Sequence, residues 1–298
     1  MRSINDKVFI STAPTRAPNP YATSKVYVCG DVIDVTTVER PCRSLSNIRR
    51  LSKDLYVDVR TGEVSEYRHS EKRADNHRGL YKTFANLRRI INLNFRGGWW
   101  ELFLTLTYGI IMTDPVQLYK DFVLFWKKLR YYYPLLQYVV VAEPQHNGSW
   151  HLHVLLRNAD YKYLYIPKEQ LSRLWPSGFV HVKRLHSVDN LGAYFTAHLT
   201  DIDLSERDDT EEPLPKKIQK GARIALYPAK FRLYRCSRGI ARPLPQTMTY
   251  AEVQELVGGL EPCYSSTKVI KQTQDDGMAK EVNAITYHQY NTKRKNIK

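Results

Sequence analysis

Two histidines stand two residues apart, His151 and His153, in the segment WHLHVLLRN (150–158). On a β-strand, alternate residues point to the same side. Both imidazoles would then share one face, while Leu152, Val154 and Leu156 turn toward a core. Two imidazoles on one face can bind a single divalent metal; unliganded surface or core histidines are the plain alternative. Glu143 ends the preceding strand, and the turn after it decides whether its carboxylate joins them. A two-residue loop at Asn147-Gly148 sets Glu143 opposite Leu152, on the wrong face. A three-residue loop, His146-Asn147-Gly148 with Gly148 left-handed, sets it opposite His151. Pro144 disfavours a regular ladder here. The expectation is the three-residue loop or a bulge, and a site of Glu143, His151 and His153. Two imidazoles, a carboxylate and open positions suit Mg²⁺ or Mn²⁺ acting on phosphate. Gln145 and His146 are reserve ligands.

A second group lies on DNLGAYFTAHLTD (189–201). Asp189 reads as the N-cap, and Leu191, Phe195 and Leu199 as a core stripe. Tyr194 and His198 are one turn apart on a neighbouring face. A tyrosine at the edge of a core stripe is ordinarily packing, so its chemistry needs other support.

Such residues need rigid elements to hold them. WELFLTLTY (100–108) alternates, with Leu102, Leu104 and Leu106 on one side and Phe103, Thr105 and Thr107 on the other. The threonines are candidates for the floor of a site, or common strand residues. Asp114-Pro115 predicts a helix start, with Leu118, Phe122, Phe125 and Leu129 as its buried stripe. Strands are expected at 136–143, 150–158 and 179–185, and helices at 167–174 and from Asp189. Upstream, 26–35 reads as one strand and 55–67 as a hairpin around Thr61-Gly62. Residues 78–95 space Leu80, Phe84, Leu87, Ile91 and Leu93 as a helix. Downstream come an acidic loop (201–213), a basic strand-like stretch (216–236), a helix at 249–257, and a basic tail, NTKRKNIK, expected to be disordered. This order predicts an α+β fold, an antiparallel or mixed sheet backed by helices.

The 298 residues carry 45 Lys plus Arg against 30 Asp plus Glu, a net charge of +15. That excess points to a polyanionic partner, most often nucleic acid. There are 21 Tyr against 9 Phe, and rings interleaved with basic residues suit stacking on unpaired bases. No apolar run approaches the roughly 20 residues that span a bilayer, so no membrane partner is expected. Cys29, Cys42, Cys236 and Cys263 share no CxxC spacing and read as reduced thiols.

FLTLTY (103–108), EPQHNGSWHLHVLL (143–156) and GAYFTAHLTD (192–201) occur in that order. The triple resembles the three-motif pattern of HUH endonucleases, the rolling-circle replication initiators of phages and plasmids. Among these it is similar to replication-associated proteins of the filamentous-phage gene II type. LWPSGFVHVKRL (174–185) and YRCSRGIARP (234–243) extend the likeness over roughly 80–245. The resemblance implies a ferredoxin-like antiparallel sheet, with its helices on one face and the metal site on the other. It implies His151, His153 and Glu143 as metal ligands for Mg²⁺ or Mn²⁺ and Tyr194 as nucleophile. Similar proteins often read YxxKY in the third motif. Here the last two positions are Ala197 and His198, which implies a one-tyrosine enzyme. His198 is then a candidate base, and Lys183, on the strand face of His181, a candidate for the missing charge.

The reading is a site-specific single-strand DNA nickase and ligase that starts rolling-circle replication through a 5′-phosphotyrosine. Single-stranded origin DNA, a host helicase and a host polymerase are its expected partners, in the cytoplasm of a bacterial host cell. Residues 76–245 would be the endonuclease core, 1–75 an accessory β segment and 246–298 an extension with a basic tail. No Walker GxxxxGK[ST] is present, so no fused helicase is expected. The alternatives are a non-catalytic single-strand DNA- or RNA-binding protein, an HUH relaxase or transposase, and a zinc hydrolase using the same histidines.

Overall fold

A computed structural model of the protein describes residues 8–41, 48–67, 77–145, 147–185, 188–199, 226–228, 230–273 and 278–296. The chain divides into two units, residues 1–28, 32–70 and 244–298 in one, and 29–31 and 71–243 in the other. The expected acidic loop at 201–213, and 216–225 of the basic stretch, lie outside the described residues.

The contiguous unit carries the chemistry-bearing residues. Its elements are α1 (His77–Asn94), β7 (Glu101–Leu106), α2 (Pro115–Tyr132), β8 (Leu136–Pro144), β9 (Trp150–Asn158), α3 (Lys168–Leu174), β10 (Val180–Lys183), α4 (Leu191–Leu199) and β11 (Tyr234–Cys236). The strands form one antiparallel sheet in the order β10-β7-β9-β8-β11. Helix α2 begins as its residues dictate: Asp114 accepts a hydrogen bond from the Val116 amide at 2.7 Å, with Pro115 in the first turn. Its stripe of Leu118, Phe122, Phe125 and Leu129 is buried.

The register defines two faces. Thr105, His153 and Val141 lie abreast on one, and Leu104, Val154 and Val140 on the other. Helix α2 covers the leucine face, where Phe122 and Trp126 meet the Tyr138 ring at 4.9 and 4.5 Å between centroids. Helix α4 covers the histidine face, where Phe195 stands edge-on to Phe103 at 5.5 Å. The end of α1 reaches that face too, since the Asn94 carbonyl accepts from Arg157. The helices therefore lie on both faces, which corrects the expectation of one covered face and one bearing the site. The cause is in β8 and β9 themselves. Val139, Val140, Val141 and Ala142 of β8 are fully buried, as are Leu152, Val154, Leu155 and Leu156 of β9, so both faces must be packed.

The second unit joins early and late strands. β1 (Val8–Ala13), β2 (Thr23–Cys29), β3 (Val32–Val38), β12 (Gln246–Thr249), β13 (Tyr264–Thr273) and β14 (Ala279–Asn291) form a sheet in the order β1-β13-β14-β3-β2-β12. Val26, Ile33, Val35 and Tyr290 pack with Val253 and Val257 of α5 (Tyr250–Val257). Thr249 and Glu252 form a capping box at the start of α5. β4 (Ile48–Arg50), β5 (Leu55–Asp58) and β6 (Val64–Glu66) make a separate three-stranded sheet. Two expectations are corrected here. The single strand at 26–35 is a hairpin, turned at Gly30 with φ +63°. Residues 292–296 of the expected disordered tail form a 3-10 helix.

Candidate functional site

The turn between β8 and β9 sets the site. The Gln145 amide donates to the Ser149 carbonyl at 2.7 Å and the Gly148 amide to the Gln145 carbonyl at 2.9 Å. Gly148 has φ +80°, the left-handed region that glycine enters without a steric penalty. Three residues, 146–148, thus form the loop, and Glu143 stands opposite His151. His146 lies outside the described residues.

One carboxylate oxygen and two ring nitrogens meet at this end of the hairpin. Glu143 Oε2 is 2.7 Å from His153 Nε2 and 3.1 Å from His151 Nε2, and the two Nε2 atoms are 2.8 Å apart. Glu143 is 2% exposed and His151 7%. Burial pushes the Glu143 carboxyl up, but hydrogen bonds from both histidines and their charge outweigh it and bring it down to about 2. Three lone-pair atoms this close need a proton or a cation among them. Nitrogen and oxygen donors of this kind fit a divalent ion, and among the described residues these three form a group able to hold one.

The surroundings orient His153 in particular. Its Nδ1 lies 3.3 Å from Thr105 Oγ1. When Nε2 faces an ion, Nδ1 carries the proton and donates to that hydroxyl. Phe103 stacks on the His153 ring at 5.5 Å, and Phe195 of α4 meets it edge-on at 6.1 Å. His151 Nδ1 is buried with no hydrogen-bond partner, so packing alone sets that ring. Thr107 turns to the Phe179 carbonyl instead.

Tyr194 precedes Phe195 on α4. Its hydroxyl accepts a hydrogen bond from Lys183 Nζ at 2.9 Å. Lys183 pairs with Phe103 across β10 and β7, on the histidine face. The helix is fixed by buried asparagines: Asn92 of α1 donates to Asn190 and accepts from the Gly192 amide at 2.6 Å. The Ala193 amide donates to Asn190 Oδ1, so Asn190, rather than Asp189, caps this helix. His198 follows Tyr194 by one helical turn, and its side chain lies outside the described residues. Sequence spacing does not disclose the ring wall of Phe103 and Phe195. Its one signal is an aromatic on the threonine face of β7, where alternation puts the site.

An antiparallel sheet with a His–His–Glu cluster at one hairpin and a lysine-paired tyrosine on a packed helix defines an α+β unit suited to metal-assisted phosphate chemistry. Residues 101–203 match the model of a family described as replication-associated protein, ORF2/gene II protein. That match supports a role in starting DNA replication. No curated protein and no solved structure gives a significant match to the chain. Among the described residues no helix is long and apolar enough to cross a membrane.

Proposed function

We propose that the chain is a site-specific single-strand DNA endonuclease and strand-transfer enzyme that starts rolling-circle replication. The convergence of Glu143, His151 and His153, within the segment that matches a replication-associated family, carries this reading. These three residues would hold Mg²⁺ or Mn²⁺. When bound, such an ion neutralises charge developing on a scissile phosphate.

The chain's own groups do the rest. Tyr194 is the nucleophile: its oxygen attacks phosphorus, the 3′-oxygen of the neighbouring nucleotide leaves, and the proton of the tyrosine passes to a base. A 5′-phosphotyrosyl ester and a free 3′-OH result. Lys183, donating to the Tyr194 oxygen, holds it in place and favours the charge it gains. His198 is the candidate base. Phe195 and Phe103 wall His153 and exclude water from it. The free 3′-OH would prime a host polymerase behind a host helicase. A returning 3′-OH reverses the step and rejoins the strand, since the phosphotyrosyl bond conserves the energy of the one broken.

The test uses single-stranded oligonucleotides from DNA beside the gene, with Mn²⁺, resolved on a denaturing gel. A covalent protein–DNA band should form with the wild type and be absent from Tyr194→Phe and His153→Ala. An adduct that survives Tyr194→Phe places the nucleophile elsewhere. Tight, salt-sensitive binding with no adduct on a tiled origin region favours a non-catalytic binding protein.

A further inference from the structure

Residue 184 follows Lys183, the partner of Tyr194, and begins a different arrangement. Arg184 donates to the Trp99 carbonyl at 2.9 Å and to the Leu164 carbonyl at 2.6 Å. So pinned, its guanidinium lies over two rings, 4.8 Å from the centroid of Tyr163 and 5.3 Å from that of Trp99. The two rings are themselves 6.4 Å apart. No carboxylate pairs with Arg184 among the described residues, so its charge is available to an outside anion.

The chain at 161–166 is extended and alternates. Leu164 and Ile166 are buried, and the Leu164 amide donates to the Trp99 carbonyl. Tyr163 and Tyr165 therefore point outward on one side, about 6.6 Å apart along the chain. Each is 64% exposed, and Trp99 is 58% exposed. Large aromatic faces left in water at this density mark a binding surface. Their flat shape, the fixed cation and the protein's excess of positive charge suit one ligand chemistry, an unpaired base with its phosphate.

We infer that Trp99, Tyr163, Tyr165 and Arg184 form a stacking platform for bases of single-stranded DNA. The platform rests on the reading of the chain as a DNA nickase. It adds the place where the strand is gripped outside the reacting phosphate. Aromatic faces accept any base, so the platform holds the strand while leaving sequence choice to other contacts.

The experiment measures anisotropy of a fluorescein-labelled 20-mer of thymidylate against the full chain carrying Tyr194→Phe, which binds without reacting. Trp99→Ala and Tyr163→Ala should each weaken binding about tenfold, the scale of one lost base stack. Tyr163→Phe, which keeps the ring, should stay within twofold. Melting temperatures identify any variant that fails to fold, and Tyr163→Phe and Tyr165→Ala then carry the comparison. Unchanged affinity in the alanine variants overturns the platform, as does an equal loss for duplex DNA or a loss confined to a protein–protein association. The covalent-adduct assay is independent of this one. Binding through the platform without any adduct sinks the nickase reading alone. An adduct with platform variants that bind as tightly as the parent sinks the platform alone.

Discussion

His153 is held at both ends of its ring. Nε2 faces Glu143 and His151, and Nδ1 faces Thr105. Thr105→Val removes the outer contact and nothing else of size. It should weaken Mn²⁺ binding roughly tenfold, the lower range for loss of such a partner, as read by calorimetric titration. Glu143→Gln should abolish the rise in melting temperature that Mn²⁺ gives the wild type; an undiminished rise would show the ion bound elsewhere. At Tyr194, Lys183→Met should slow adduct formation about a hundredfold with little change in oligonucleotide affinity, and Lys183→Arg should recover part of it. The grouping of Glu143 with the histidines is legible in the sequence because Gly148 and Pro144 constrain the loop, and the loop fixes the register. The meeting of Lys183 with Tyr194 is legible only as far as a shared sheet face. Those residues lie on separate elements, and no spacing rule states how a helix sits over an edge strand.

The helix that carries Tyr194 is placed by close approach rather than by a greasy stripe alone. A Cβ on Gly192 would stand 2.5 Å from the Arg88 carbonyl oxygen and 2.8 Å from Asn92 Oδ1. Gly192→Ala should therefore push α4 away from α1 and break the Asn92 contact, at about 1–3 kcal/mol of stability. Denaturant titration measures that loss, and adduct formation should fall with it even though no reacting group has changed. Most elements around the site can be read from pattern: α2 from its Asp-Pro start and four-residue stripe, β7 from its alternation. Which face each helix covers is harder to read. The signal is present, since YVVVA in β8 is apolar without alternation and so demands cover on both sides. The hairpin at 26–35 reads as one strand because Gly30-Asp31 interrupts an otherwise continuous β-branched run, and a two-residue turn leaves little trace.

At the scale of the whole molecule, the strands before residue 39 and those after 245 belong to one sheet, although they read as unrelated flanking segments. Nothing local announces that β1 pairs with β13 or β3 with β14; only the chain's long-range packing does. Inside this sheet His288 is buried against Tyr250 and Tyr290, and burial holds its pKa below the ordinary value. The neutral ring is the folded form, so its contribution to stability is present above an unfolded pKa of about 6.5 and is lost as pH falls toward the lowered folded value. His288→Phe keeps the ring and removes the proton site. Its melting temperature should depend less on pH than the wild type's between about pH 7 and 5; parallel curves would show that other groups set the dependence. The interleaving of early and late strands also bears on how the protein is made. A ribosome emits β1, β2 and β3 first, but their partners β13 and β14 emerge only after the whole unit bearing the histidine cluster has been synthesised. The segment from 71 to 243 can pack its own core during translation, whereas the first strands must wait, unpaired, for more than two hundred residues of further synthesis. A transcript cut short between the two would yield the histidine-bearing unit without its companion sheet.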